Sequence, residues 1–280
     1  MRAESAGDAT APLERWREDL ASWAIPEPIL RAAGPKSPWE LPRQLFVDRT
    51  RRLVAWPSGH TYQRALEALR PRGTVLDVGC GAGAASLPLA PHASAMVGVD
   101  EHPGMLDAFR TLGAEVGCPV ETFTGRWPDI AGEVPAADVV VCTNVVYNVA
   151  DLGPFALEMT RHARRRVVVE LTARHPMSDL NPLWLRVHGL VRPERPTADD
   201  AVAALRAMGL AVESHAWSRQ AVSEFATYRD MLAVTGQRLC LPTDRVDDLD
   251  AALRELGVDP EHPRLGTPMR DVVTLWWPPG

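Results

Sequence analysis

Lysine is almost missing from this chain: Lys36 is the only one among thirty basic residues, the rest being arginine. Schiff-base or phosphate-loop lysine chemistry therefore has a single candidate position. Cysteine is sparse as well. Cys80, Cys118, Cys142 and Cys240 stand far apart, with no CxxC pair and no histidine at ligand spacing. A zinc site or a disulfide framework lacks its usual donors, no metal is expected, and the four residues read as reduced, mostly buried thiols. No apolar run approaches the ~18 residues that a membrane helix needs. The N-terminal residues Arg2, Glu4, Asp8, Glu14 and Arg15 carry too much charge for a signal peptide. The expectation is a cytoplasmic protein with no membrane partner. Excess positive charge is also absent, since the formal net charge is −6, the wrong sign for a chain whose main partner is a polyphosphate. Nucleic acid is disfavoured. There is no internal repeat and no low-complexity tract.

What is present is ordinary globular composition, 46% hydrophobic and 24% charged in 280 residues, enough to bury the core of one large α/β domain with insertions. Residues 1–70 show helical spacing broken by Pro26, Pro28, Pro35, Pro38, Pro42 and Pro57, with Trp16, Trp23, Trp39 and Trp56 spread among them. Short helices joined by bends are predicted. From residue 73, short β-branched runs alternate with helical spacing: Thr74–Val78, Ala95–Val99, Val120–Phe123, Asp138–Cys142 and Arg166–Leu171. This is the rhythm of a parallel sheet. Pro103 and Asp151 open crossover helices, Thr197 and Thr243 open two later ones, and further strands are expected at Leu210–Val212 and Asp271–Trp277. The arginine run Arg161, Arg164, Arg165 and Arg166 reads as a helix end, where cations favour the exposed carbonyls, in preference to a nucleic-acid patch.

The most informative segment is Val75-Leu76-Asp77-Val78-Gly79-Cys80-Gly81-Ala82-Gly83, a strand running into a glycine turn that opens a helix. Such a turn presents backbone N–H groups to a small polar ligand. Gly79, Gly81 and Ala84 also satisfy the dinucleotide pattern G-x-G-x-x-G/A, with Asp100 at a distance suited to a ribose-binding acid. Asp77 separates the two readings. Two residues before Gly79, its carboxylate repels a pyrophosphate, whereas it can organise the loop and face the ammonium of an amino acid.

With Asp77, Gly79, Gly81 and Gly83 in place, the chain resembles the class I S-adenosylmethionine (SAM) dependent methyltransferases over residues 74 to about 172, and more loosely to the last strand. The resemblance implies an α/β fold, Rossmann-like, with a seven-stranded mostly parallel sheet, helices on both faces and an N-terminal helical cap. The cap would be residues 1–70 and the SAM-binding core 71–280, with insertions at about 173–197 and 219–268. It implies SAM as cofactor and Asp100 as the acid accepting both ribose hydroxyls. Met105, of the pair Met105 and Leu106, would pack the adenine. Arg126 stands where many relatives have an acid on the adenine amine, leaving a backbone group or the face of Trp127 for that contact. Asn144 would line the passage between cofactor and acceptor.

Methyl transfer from a sulfonium is an in-line displacement on an activated carbon, so such an enzyme aligns the acceptor and excludes water, needing a base only for a weak nucleophile. Tyr147 and His175 are the candidate catalytic residues, with Glu170, Thr172 and His188 in the same acceptor-side region, because parallel sheets bind ligands beyond the carboxyl ends of their strands. Asn144-Val145-Val146-Tyr147 keeps only the ends of the Asn-Pro-Pro-Tyr signature by which some amine and amide methyltransferases hold a planar nitrogen. The tryptophan, leucine and methionine content of the added segments suggests an apolar acceptor. The leading expectation is a methyltransferase acting on a small molecule, a specialised metabolite. An RNA or protein methyltransferase, or a non-catalytic SAM-binding regulatory protein, is the alternative. Residues 1–70, with His60 and Tyr62, are expected to fold over the acceptor site, so that deleting them hurts turnover more than cofactor binding.

Overall fold

The computed structural model describes residues 6–33, 37–39, 41–221, 225 and 227–280; Arg2, Glu4, the Asp8 side chain, Pro35 and Lys36 lie outside the described residues. Four helices come first, α1 (Ala6–Ala21), α2 (Glu27–Ala32), α3 (Arg43–Ala55) and α4 (His60–Ala68). The strands and crossovers then run β1 (Gly73–Val78), β2 (Ala93–Asp100), α5 (Pro103–Glu115), β3 (Val120–Thr124), β4 (Ala137–Thr143), α6 (Leu152–His162) and β5 (Ala163–Thr172). After β5 follow α7 (Asn181–His188), α8 (Ala198–Ala207), β6 (Glu213–Gln220), α9 (Tyr228–Arg238), α10 (Val246–Glu255) and β7 (Met269–Trp277). The strands form one seven-stranded sheet in the order β3-β2-β1-β4-β5-β7-β6, with β7 antiparallel to both neighbours and the other pairs parallel.

Both faces of the sheet centre are covered, which is why its strands read as unbroken apolar runs. Leu76, Val140 and Val167 point into one core, with Trp16, Phe155, Met159 and Trp277. Their neighbours Val75, Val139 and Val168 point into the other, with Ala65, Leu69, Leu87 and Phe109. The order reverses between β1 and β4, and the carboxyl ends of these strands leave a crevice there. A third apolar cluster stands apart from the sheet. Met177 and Leu180, Leu183 and Trp184 of α7, Met231 of α9, and Leu249 and Leu253 of α10 close around Trp23 and Ile25.

Four local expectations need correction. The glycine turn leads into a 3₁₀ turn, Leu87–His92, in place of an α-helix, because Pro88 and Pro91 remove backbone donors. Leu210–Val212 is not a strand: the Val212 carbonyl takes the Arg206 guanidinium, and β6 begins at Glu213. Arg164, Arg165 and Arg166 lie in β5, past the end of α6. Arg165 and Arg166 answer backbone carbonyls in the last part of α4 and just after it. Arg166 donates to Arg64 O at 2.9 Å, and Arg165 to Ala68 O at 3.2 Å and Pro71 O at 2.7 Å. Asp151 precedes α6 without capping it, its carboxylate being taken by Arg17 of α1, whereas Thr197 forms a capping box with Asp200.

The N-terminal helices are built into the domain. Trp16 of α1 is fully buried, stacks on Tyr147 at 5.8 Å and donates its indole N–H to Val149 O at 2.8 Å. Beside α5, α3 is held at its start by Arg43 on Gly104 O and near its end by the Arg51–Glu115 pair at 2.9 Å. Among the described residues no helix is long and apolar enough to cross a membrane.

Replacing Trp16 by alanine should lower the unfolding free energy by about 3–5 kcal/mol, the usual range for deleting a fully buried tryptophan. Chemical denaturation measures it, and a loss below about 1 kcal/mol would show that α1 is not part of the core.

Candidate active site

A cavity of about 910 Å³ runs along the carboxyl ends of the parallel strands, floored by the glycine loop after β1 and walled by Asp100, Met105, Arg126, Asn144 and Asn148. The loop is tightly built. Gly79 and Gly83 adopt φ of 69° and 87°, and a Cβ on either would come 2.4 Å from a side chain, Val145 in the first case and Phe109 in the second. The N–H groups of Gly79 and Cys80 both donate to Val99 O, at 2.8 and 3.0 Å.

Asp100 ends β2 with each carboxylate oxygen in use. Gly81 N donates to Oδ2 and His102 N to Oδ1, both at 2.9 Å, and the side chain is 13% exposed toward the cavity. Each oxygen keeps capacity for a further donor. Asp77 lies underneath, fully buried. Ser86 donates to its Oδ2 at 2.6 Å, while Oδ1 has no hydrogen-bond partner. Burial pushes its pKa up to about 7, the Ser86 hydrogen bond opposing this and the charge on Asp100 adding to it.

The other residues singled out from the sequence divide clearly. Met105 lines the cavity, whereas Leu106 is buried in the core. Arg126 lines it too, with Nε 3.7 Å from Glu101 Oε1. Trp127 borders the cavity from within the core, its indole N–H donating to Phe155 O at 3.2 Å. Asn144 is held at φ 60° with its N–H on Glu170 O.

Tyr147 and His175 come together, rings 5.1 Å apart, but neither borders this cavity. The Tyr147 hydroxyl donates to Thr172 O at 2.8 Å, and burial raises its pKa well above the usual tyrosine range. His175 stacks on Trp23 at 3.8 Å and accepts from Met177 N, and burial, with Arg192 nearby, lowers its pKa to about 4. It borders a separate small cavity of about 160 Å³ with Ser178 and Arg270. The rest of that region is tied up in structure. Glu170 pairs with Arg219 at 3.0 Å and takes the Thr61 hydroxyl, Thr172 donates to Arg174 O, and His188 donates to Leu239 O. His60 stacks on His215 and Tyr62 packs on the sheet core, both away from the larger cavity.

The wall that sequence reasoning missed is Trp39, Leu41 and the face of α3 carrying Phe46, Arg49 and Thr50. Their i, i+3, i+4 spacing marks one helix face, but its mixture of aromatic, cation and hydroxyl carries no periodic signal. Among the described residues no group of three or more His, Cys, Asp or Glu side chains is placed to hold a metal ion.

A glycine loop at the switch point of this sheet, with an acid at the end of the second strand, is the arrangement of a class I methyltransferase fold. Residues 75–166 match the methyltransferase domain family. An uncharacterised protein of Haemophilus influenzae is 33% identical over 133 residues, 46% of this chain and 49% of that one. The ubiquinone biosynthesis O-methyltransferase of Azorhizobium caulinodans is 39% identical over 92 residues, 33% of this chain and 35% of the enzyme. The chain thus spans half or less of the length of these curated relatives. The fold is shared with the YcgJ protein of Bacillus subtilis, 18% identical, covering 77% of this chain and 98% of that one at a TM-score of 0.51. A candidate methyltransferase from Bacillus halodurans is 17% identical, covering 78% and 96% at a TM-score of 0.52.

Asp77 gives the site a pH signature. Its folded pKa of about 7 exceeds the ordinary 3.8, so its stabilising contribution is complete below pH 3.8 and is lost as the pH rises through 7. In denaturant titrations the unfolding free energy of the native protein minus that of Asp77→Asn should fall between about pH 4.5 and 7.5. A difference that stays flat over that interval would mean that Asp77 is ionised throughout.

Proposed function

We propose that the chain is a SAM-dependent methyltransferase acting on a small apolar acceptor, a specialised metabolite, in the cytoplasm. The observation that carries this reading is Asp100, its carboxylate clamped by two backbone N–H groups at the rim of the glycine-loop cavity. The residues present fit SAM. Asp77 holds an unpaired oxygen under the loop, the loop itself has no room for side chains at Gly79 and Gly83, and Asp100 retains lone pairs for two hydroxyls. When bound, SAM supplies a methyl carbon already activated by its sulfonium.

The work left to the chain is binding, alignment and exclusion of water. Asp100 takes the ribose hydroxyls, the loop from Gly79 through Gly81 to Gly83 receives the amino acid portion, and Asp77 sets the loop from below. Met105 flanks the adenine. Arg126, steadied by Glu101, closes that end, and Trp127 backs it from the core. Asn144 stands between cofactor and acceptor. Trp39, Leu41 and Phe46 supply an apolar lining for the acceptor, so the closing part of the N-terminal cap is Trp39, Leu41 and α3. The transfer asks for no dedicated base when the acceptor is a good nucleophile. Tyr147 and His175, both buried and engaged, brace the acceptor side from behind.

The likeness of the core to ubiquinone biosynthesis O-methyltransferases supports a small-molecule acceptor, and the net charge of −6 weighs against nucleic acid. Four buried free cysteines suit a reducing compartment.

Calorimetry should show binding of S-adenosylhomocysteine and none of NAD, with Asp100→Asn weakening the former on the order of tenfold by loss of charge-assisted hydrogen bonds. Incubating the protein with a metabolite extract and SAM labelled in its methyl group should yield a labelled low-mass product by mass spectrometry. Binding of NAD without S-adenosylhomocysteine would overturn the cofactor, and label found only in RNA or protein would overturn the acceptor class.

A further inference from the structure

The smaller cavity lies where the end of β5 meets the start of β7, apart from the glycine loop. Thr172, Arg174 and His175 on one side face Asp179, Arg270 and Asp271 on the other. Its volume of about 160 Å³ is well below the roughly 300–1,000 Å³ of pockets that take a drug-sized ligand. A group of a few atoms is the occupant it suits.

Two donors in this wall have no partner. Arg270 is half-buried in β7, and among the described residues its guanidinium makes no hydrogen bond and no ion pair. It stands directly opposite Arg219 of β6, so the two cations share one side of the sheet and repel each other. Arg219 has a counter-ion in Glu170 at 3.0 Å, and Arg270 has none. The carboxylates close by are already engaged. Asp179 pairs with Arg174 at 3.5 Å, and Asp271, which leaves β7 on the opposite face from Arg270, takes the Ser218 hydroxyl at 2.6 Å.

His175 is the second donor. Its ring is 8% exposed, and Nδ1 accepts from Met177 N at 3.3 Å, which puts the proton of the neutral imidazole on Nε2. Trp23, stacked on the ring at 3.8 Å, fixes its orientation. Among the described residues Nε2 has no partner, yet it is not sealed off as the Ser178 hydroxyl is. An unanswered buried donor and an arginine set against another arginine are both unfavourable, and an oxyanion relieves both because it offers several lone pairs and a negative charge at once.

We propose that this cavity is a binding site for a small oxyanion, a carboxylate or phosphate group, held by the guanidinium of Arg270 and the Nε2–H of His175. The site is separate from the SAM cavity, and the proposal does not depend on the SAM reading.

Nuclear magnetic resonance of the full chain, isotope-labelled at its histidine nitrogens and held at neutral pH, tests it with two probes, inorganic phosphate and acetate, each against chloride at matched ionic strength. The His175 Nε2 resonance, identified by its loss in His175→Gln, should shift to saturation with at least one probe and not with chloride. Arg270→Gln should weaken that binding roughly tenfold or more, as for a lost hydrogen bond between charged groups. Arg270→Lys, which keeps the charge without the planar fork, should fall between the two and serves alone if the glutamine variant does not fold. A response to phosphate only would assign the site to a phosphate group, and a response to acetate only to a carboxylate. No saturable shift with either anion, or native affinity in the Arg270 variants, would overturn the proposal.

Discussion

Everything about this site turns on one carboxylate. Asp100 accepts the N–H of Gly81 with one oxygen and that of His102 with the other, so it joins the loop after β1 to the end of β2. Because charged acceptors form the stronger hydrogen bonds, this clasp fixes the loop more firmly than neutral contacts would. Its consequence is preorganisation: the backbone that meets a ligand is already in position, and little ordering is left to pay on binding. The double use of Val99 O by Gly79 and Cys80 completes the attachment from the sheet side.

The clasp matters because the loop lacks the α-helix that would otherwise anchor it. Pro88 and Pro91 reduce that element to a 3₁₀ turn, and α3 packs over the same region from the N-terminal segment. The chain thus supports its glycine loop with a helix contributed from some thirty residues upstream. That helix carries its own tethers to α5, Arg43 at one end and Arg51 at the other.

How much of this could be read in advance follows from where each signal lies. Strands β1, β2, β4 and β5 were legible because burial on both faces writes continuous apolar runs. The edge strand β6, with Glu213, Ser214 and His215 exposed, writes none. The arginines after Arg161 were misplaced because α6 passes into β5 with no break between His162 and Ala163. The glycine-loop side of the cavity showed in the sequence because Asp77, the glycines and Asp100 lie in one β-loop-β unit at fixed spacing. The opposite wall did not, since Phe46, Arg49 and Thr50 join the cavity only through tertiary packing. Tyr147 and His175 sit near the expected strand ends, but Trp16 and Trp23, far off in sequence, turn them into packing surfaces.

The distribution of those tryptophan contacts bears on how the molecule is made. Trp16 finishes its environment with Val149 and Tyr147, and the backbone carbonyls of Trp23 and Ala24 receive Arg192. The cluster around Trp23 also needs Leu249 and Leu253. During synthesis α1 and the segment around Trp23 therefore wait for partners that lie far downstream. Contacts of such large sequence separation form slowly, and surfaces waiting for them stay exposed to association with other chains. α1 and α2 are made well before the segments they pack on, which makes a nascent-chain chaperone more relevant to them than to the sheet.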